Sequence, residues 1–192
     1  MENLFNAAVA FAAKAHDGQV RKITHIPYIL HPMEVAIIAS TLTADEDTLI
    51  ACILHDTVED TDVSADEVEA QFGKRVRALV SSETEDKMNH LPREASWKLR
   101  KEQSIAVLQK TDDTSVKIMW LSDKLANMRS VYASWCQVGD KVFDNFHMKE
   151  KAQHAWYYRT ILAALSEFAG TTAYAEYRHL CDTVFADIPE SF

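Results

Sequence analysis

Leu49-Ile50-Ala51-Cys52-Ile53-Leu54-His55-Asp56-Thr57-Val58-Glu59-Asp60 is the stretch from which the rest of the chain is read. Six apolar residues run straight into an imidazole and a carboxylate, and two more carboxylates follow a turn later. Residues four apart share a helix face, so on one continuous helix His55 lies beside Glu59 and Asp56 beside Asp60. Three carboxylates and an imidazole then crowd the C-terminal end of a core helix. The macrodipole there disfavours negative charge by about 0.3–1 kcal/mol per group, and burial adds to that cost. Between Ile23 and Gly73 there are eleven Asp and Glu and no Lys or Arg, so the neutralising charge comes from outside the local sequence. A bound divalent metal is one candidate; the plainer alternative is a solvated acidic helix end.

Upstream, Leu4, Ala8, Phe11, Ala12 and Ala15 fall at helical spacing and predict a first helix ending near His16 and Gly18. A loop over 17–30 carries the basic pair Arg21-Lys22. Pro32 suits the first position of a second helix, with His31 as its N-cap. Thr43-Ala44-Asp45-Glu46 and Ser64-Ala65-Asp66-Glu67 both have the form of a capping box, and Gly73 closes the short helix that the second one opens. Downstream, the spacing predicts helices near 95–110, 115–135, 147–168 and 171–186, with Gly139 and Gly170 as breaks. Only four Gly and four Pro in 192 residues argue for long helices over many short strands. The expectation is an all-α bundle of about eight to ten helices, with residues 1–192 as a single domain.

A formal net charge of −9 argues against a bulk nucleic-acid or anionic-membrane surface, while leaving room for a small anionic substrate. Cys52, Cys136 and Cys181 are scattered and lack metal-ligand spacing, which points to reduced thiols. No basic signal region opens the chain and no apolar run is long enough to span a membrane, so a cytoplasmic location is expected.

The long helix near 115–135 holds the second informative stretch. From Val116, helical steps reach Trp120, Asp123, Asn127 and Ser130, a stripe that begins apolar and turns polar. An Asp in such company needs a partner. A salt bridge to Lys87, Arg129 or another cation would suffice; a ligand role is the alternative. Trp156-Tyr157-Tyr158 invites two readings as well, a stacking surface for a purine or ordinary core.

Taken together, a lone His31, the pair His55-Asp56 and the later Asp123 form the H…HD…D arrangement of HD-domain metal phosphohydrolases. Around them, Ala15-His16-Asp17-Gly18-Gln19-Val20-Arg21-Lys22, Pro27-Tyr28-Ile29-Leu30-His31-Pro32, His55 to Thr61, Phe72-Gly73, Thr84-Glu85-Asp86-Lys87 and Leu121 to Arg129 closely resemble the hydrolase domain of RelA/SpoT-type alarmone enzymes. The resemblance is collinear over about two thirds of the chain. It implies an HD fold and cleavage of the 3′-pyrophosphate from (p)ppGpp with a divalent metal, usually manganese. By the same resemblance His31, His55, Asp56 and Asp123 bind the metal, while Glu59 and Asp60 position and activate water. Arg21 and Lys22 match base-holding positions, and Asn127 and Ser130 match positions near the ribose. Ser130 stands where Thr is common, Leu30 where Asn or Val is common and Ser122 where Ala is common. None of these removes a ligand or a catalytic acid.

The chemistry suits those residue types. A divalent metal lowers the pKa of water from 15.7 toward about 7 and relieves charge on phosphoryl oxygens. A positioned base such as Glu59 contributes about 10²–10⁴-fold. The expectation is therefore a small stand-alone alarmone hydrolase, like the metazoan SpoT homologues, acting on a small-molecule nucleotide. At 192 residues, the added domains of long bifunctional relatives are not expected here. Two alternatives stay open: an HD phosphohydrolase for another phosphorylated nucleotide or dinucleotide cofactor, and a non-catalytic nucleotide sensor.

Overall fold

Two central helices carry the architecture. The computed structural model describes residues 3–83, 88 and 92–189. Among these residues are nine α-helices: α1 (Leu4–Ala15), α2 (Leu30–Ala39), α3 (Glu46–Leu54), α4 (Thr57–Asp60), α5 (Ala65–Glu83), α6 (Arg93–Lys110), α7 (Thr114–Val138), α8 (Lys151–Ala164) and α9 (Thr172–Val184). Short 3₁₀ segments occupy Gly139–Asn145 and Ser166–Phe168. The only β feature in the described residues is an isolated bridge between Val20 and Pro27. The expected all-α class is what is found.

Helix α3 is apolar on every side from Ile50 to Leu54, and all five residues are buried. A helix of that kind belongs inside a layer of others, and α1, α2, α5 and α7 surround it. Helix α7 is the second axis and packs on α2, α3, α5, α6 and α9. Its buried face alternates methionine, leucine and alanine with Ser122 and Asp123. Polar ties fix the neighbours: Thr48 donates to Ser115 Oγ at 2.8 Å between α3 and α7. Arg129 reaches from α7 to Glu34 on α2 and Glu176 on α9 at 3.1 and 2.6 Å.

Several local expectations shift, each for a physical reason. The stretch 49–60 is two helices rather than one: α3 stops at Leu54, His55 caps it, and Asp56 (φ −92°, ψ −6°) starts α4. His31 is the second residue of α2 and not its cap, because Tyr28 O already accepts its N–H at 2.9 Å and starts the turn early. Pro32 remains tolerable there, since first-turn N–H groups have no intrahelical partner. Asp45, not Thr43, caps α3 by accepting Thr48 N–H at 2.9 Å; Thr43 Oγ1 instead accepts from Asp45 N. The 147–168 region divides into α8 and a 3₁₀ turn. The second capping box forms reciprocally, with Ser64 N–H to Glu67 at 2.8 Å and Glu67 N–H to Ser64 Oγ at 3.2 Å. Gly73, at φ +89°, breaks α5 where a side chain would be strained.

Candidate metal and nucleotide site

The site lies where α2, the α3–α4 junction and α7 meet. His31 in the first turn of α2, His55 at the end of α3 and Asp123 in the middle of α7 offer one ligand atom each, all within 4.8 Å of one another. Asp56 joins them: its Oδ2 lies 3.0 Å from His55 Nε2 and 3.6 Å from His31 Nε2. Asp123 Oδ1 lies 3.1 Å from His31 Nε2 and 3.7 Å from His55 Nε2. Both histidines and Asp123 are buried, so these are not solvated surface charges.

Protonation at His55 can be derived. Its Nδ1 lies 2.8 Å from the Cys52 carbonyl oxygen, which can only accept, so Nδ1 carries a hydrogen. Nε2 therefore presents either a lone pair or a second proton to the two carboxylates, and no hydrogen-bond partner meets it among the described residues. A bare lone pair against carboxylate oxygens is repulsive; a cation is needed at that point. Without a metal, burial opposes charge on His55, yet Asp56 and Asp123 outweigh it and hold its pKa well above the ordinary imidazole value. At His31 burial prevails and the pKa falls. Burial likewise works against charge on Asp56 and Asp123. It is outweighed by His55 at Asp56 and by Lys124 with the histidines at Asp123, so both carboxyls stay below their usual range. Two imidazoles and two ionised carboxylates converging on one point form a donor set that fits a divalent first-row metal.

The surrounding residues orient these four. Tyr28 donates to Asp56 Oδ2 at 2.6 Å; burial and that carboxylate push its phenol pKa well up, so it stays a donor. Asn127 donates to Asp123 Oδ1 at 2.6 Å and accepts from Arg21 at 2.7 Å. Lys124 pairs with the other oxygen of Asp123 and sits 4.7 Å from the Trp120 ring centroid. The cation for Asp123 is thus Lys124, while Arg129 is engaged elsewhere. Lys87, the other candidate, lies outside the described residues, as does the Thr84 to Lys87 motif.

A cavity of ≈ 290 Å³ opens over the cluster, and Glu59, Arg21, Lys101 and Lys124 line it. Two further chambers adjoin it. One, of ≈ 200 Å³, is largely apolar, with Ile23, Val131, Phe146 and Tyr158 in its walls and Arg21, Asn127 and Ser130 at its polar edge. The other, of ≈ 210 Å³, is lined by Lys22, Arg93, Arg100, Lys101 and His147 over Trp97. Glu59 and Asp60 share the basic chamber; Glu59 also faces the metal chamber, and the exposed Asp60 also lines the apolar one. Of the aromatic stripe, Tyr157 lines the metal chamber and Tyr158 the apolar one, and both are buried. Tyr28, Lys124 and the α6 cations had no assigned role in the sequence reading beyond general motif membership. The signal for α6 was present in the 93, 97, 100/101, 104 spacing, one face of a helix.

The HD domain family model matches residues 8–144. A buried His-Asp cluster between helices and a family match over most of the chain agree: the chain belongs to the HD-domain family. Within it, the chain is 41% identical over 127 residues to the human guanosine-3′,5′-bis(diphosphate) 3′-pyrophosphohydrolase MESH1, covering 65% of this chain and 67% of that one. It is 38% identical over 125 residues to the Aquifex aeolicus guanosine-3′,5′-bis(diphosphate) 3′-pyrophosphohydrolase, covering 65% of this chain. The match spans only 17% of the length of that Aquifex protein. A solved structure described as a metazoan ortholog of SpoT that hydrolyses ppGpp superposes with a TM-score of 0.71 at 28% identity, over 97% of this chain and 96% of that one. The expected resemblance to RelA/SpoT-type hydrolases is therefore found. Among the described residues no helix is long and apolar enough to cross a membrane.

Proposed function

We propose that the protein is a metal-dependent guanosine-3′,5′-bis(diphosphate) 3′-pyrophosphohydrolase, cleaving (p)ppGpp to GDP or GTP and pyrophosphate. The observation that carries this reading is the buried His31–His55–Asp123 cluster with Asp56, under a cavity with a basic rim, in a chain 41% identical to a named hydrolase of that substrate. His31, His55, Asp56 and Asp123 would hold the metal, with manganese the first choice. When bound, it supplies charge relief at the phosphoryl oxygens and an acidified water.

The protein's own residues do the rest. Glu59, in the cavity wall, takes a proton from the attacking water as its oxygen forms a bond to the phosphorus; the bond from phosphorus to the ribose 3′ oxygen breaks, and that oxygen is protonated. Asp60 holds the approach beside Glu59. Arg21 and Lys22 engage the base and neighbouring groups at the apolar chamber, and Asn127 and Ser130 lie at the ribose side of it. Residues 1–192 act as one catalytic unit in this reading, in the cytoplasm.

Incubation of the metal-loaded protein with ppGpp should release GDP and pyrophosphate in equal amounts. Glu59→Gln should lower kcat by about 10²–10⁴-fold while metal binding is kept. Absence of turnover by the manganese-loaded wild type would overturn the assignment. Faster turnover of a different nucleotide, compared by kcat/KM, would change the substrate and leave the chemistry.

A further inference from the structure

The basic chamber beside the metal site needs an account of its own. Helix α6 presents Arg93, Trp97, Arg100 and Lys101 on one face toward it, and Ser104, one turn on, lines the metal chamber. Lys22 comes from the loop after α1, and His147 from the segment after α7. Four cations therefore meet two carboxylates, Glu59 and Asp60, around ≈ 210 Å³ of space, in a chain of net charge −9. This concentration is positional: Lys98, on the same helix, points instead to the Trp156 ring at 5.6 Å. His147 registers the convergence independently, since burial and then Lys22, Arg93 and Arg100 lower its pKa.

The arrangement of the chambers is the second observation. Lys22 lines all three. The basic chamber shares Glu59 and Lys101 with the metal chamber, and Asp60 and Phe146 with the apolar one. Three contiguous spaces, one with metal ligands, one apolar and one cationic, meet at one lysine. A nucleoside phosphorylated at two positions has the same shape: a base and two phosphate chains branching from one ribose. Guanidinium groups suit that second chain, because their planar forks bind phosphate through paired hydrogen bonds.

We propose that the basic chamber is a second anion subsite, holding the phosphate chain that is not cleaved while the other lies in the metal chamber. The inference rests on the proposed hydrolase reading and narrows it. The site is built for nucleotides with phosphate chains at two separate ribose positions, and the α6 arginines set that preference.

Two substrates test it: guanosine 3′-diphosphate 5′-diphosphate and the analogue with a free 5′ hydroxyl. For the wild type, the ratio of their kcat/KM values should favour the doubly charged substrate. In Arg93→Gln/Arg100→Gln the ratio should fall by roughly tenfold or more, a loss of about 1.4 kcal/mol or more, carried mainly by KM. Lys98→Gln, which removes one positive charge off the chamber, should leave the ratio where it is. Calorimetry with inorganic pyrophosphate and chelator-treated protein supplies an activity-independent arm: binding should weaken in the double variant and not in Lys98→Gln. An unchanged ratio overturns the proposal. If pyrophosphate binding is nevertheless lost, the chamber serves a separate anion and the subsite for substrate is still refuted. Failure of the hydrolase reading looks different: neither substrate turns over with wild type, while the pyrophosphate arm still reports on the chamber.

Discussion

The metal face and the α6 face of the same cleft are built on opposite principles. On the metal face the two histidines and Asp123 are buried, Asp56 and Lys124 are half-buried, and neighbours hold them: Tyr28 fixes Asp56, Asn127 and Lys124 fix Asp123, and the Cys52 carbonyl fixes His55. On the α6 face the cations are half-buried or exposed, at the ends of long side chains. Charges in the first environment are screened little by salt and coupled strongly; those in the second are screened and act more nearly as a field. The lesson is a division of labour. On the proposed reading, precision sits where a bond is to be broken, and adaptable positive charge sits where a phosphate chain is only to be held.

That contrast is open to experiment, most severely at the ligands. Asp123→Ala should remove turnover of ppGpp to below about one part in 10³ of wild type and abolish stoichiometric metal retention, measured by elemental analysis after gel filtration; it leaves Lys124 without its anion and the two histidines with Asp56 alone. Next in size, Tyr28→Phe keeps the ring on His16 but deletes the hydrogen bond to Asp56. Loss of such a supporting contact typically costs about 10–100-fold in metal affinity, readable by competition with a fluorescent chelator. An unchanged affinity would show that Asp56 is held by packing alone.

Acidity offers a third probe. His55 is raised well above 6.5 in the metal-free fold, so a proton competes with the metal at Nε2. Apparent metal affinity should climb with pH, about tenfold per unit for one displaced proton, and level off above the raised His55 value. In the metal-free protein the same shift contributes stability below about pH 6.5 that is lost as pH rises through the folded value. The depressed Asp56 and Asp123 contribute stability that is lost as pH falls through their folded values. Thermal melts across pH should therefore show a narrower plateau without metal than with it. The smallest effect belongs to the α6 face: raising salt from 0.05 to about 0.3 M should increase KM for ppGpp several-fold through screening, with little change in kcat. A fall in kcat instead would mean that the two faces are not separate.

How far the sequence leads differs between the same two faces. The apolar run 49–54 followed by His55-Asp56 gives the core helix and its polar end, because burial and periodicity are local properties. The helical class, the Ser64–Glu67 cap and the break at Gly73 are legible for the same reason. The end of α3 at Leu54 is not, since it depends on His55 turning back to the Cys52 carbonyl. The α6 cations share a helix face in the sequence, but alone Arg93, Arg100 and Lys101 read as a solvated face, and only the packing of α6 near α7 and α8 brings that face to the cleft. Lys124 escaped notice because its partner is the adjacent residue, a contact that helical spacing rules do not bring out. In the C-terminal third the sequence offers the aromatic stripe Trp156-Tyr157-Tyr158 with two readings open, and Tyr157 and Tyr158 supply walls to the cleft.

The bond from His55 Nδ1 to the Cys52 carbonyl has a consequence for how this sequence can drift. That carbonyl belongs to the last turn of α3, where backbone oxygens lose their intrahelical partners. On the proposed reading position 55 therefore has two employers, the chemistry and the end of the buried helix α3. A lineage released from catalysis would still need a short donor there, so Asn or Ser should outlast Ala. Engineers wanting an inert scaffold would do better to silence position 59 or 123 and leave the helix its stopper.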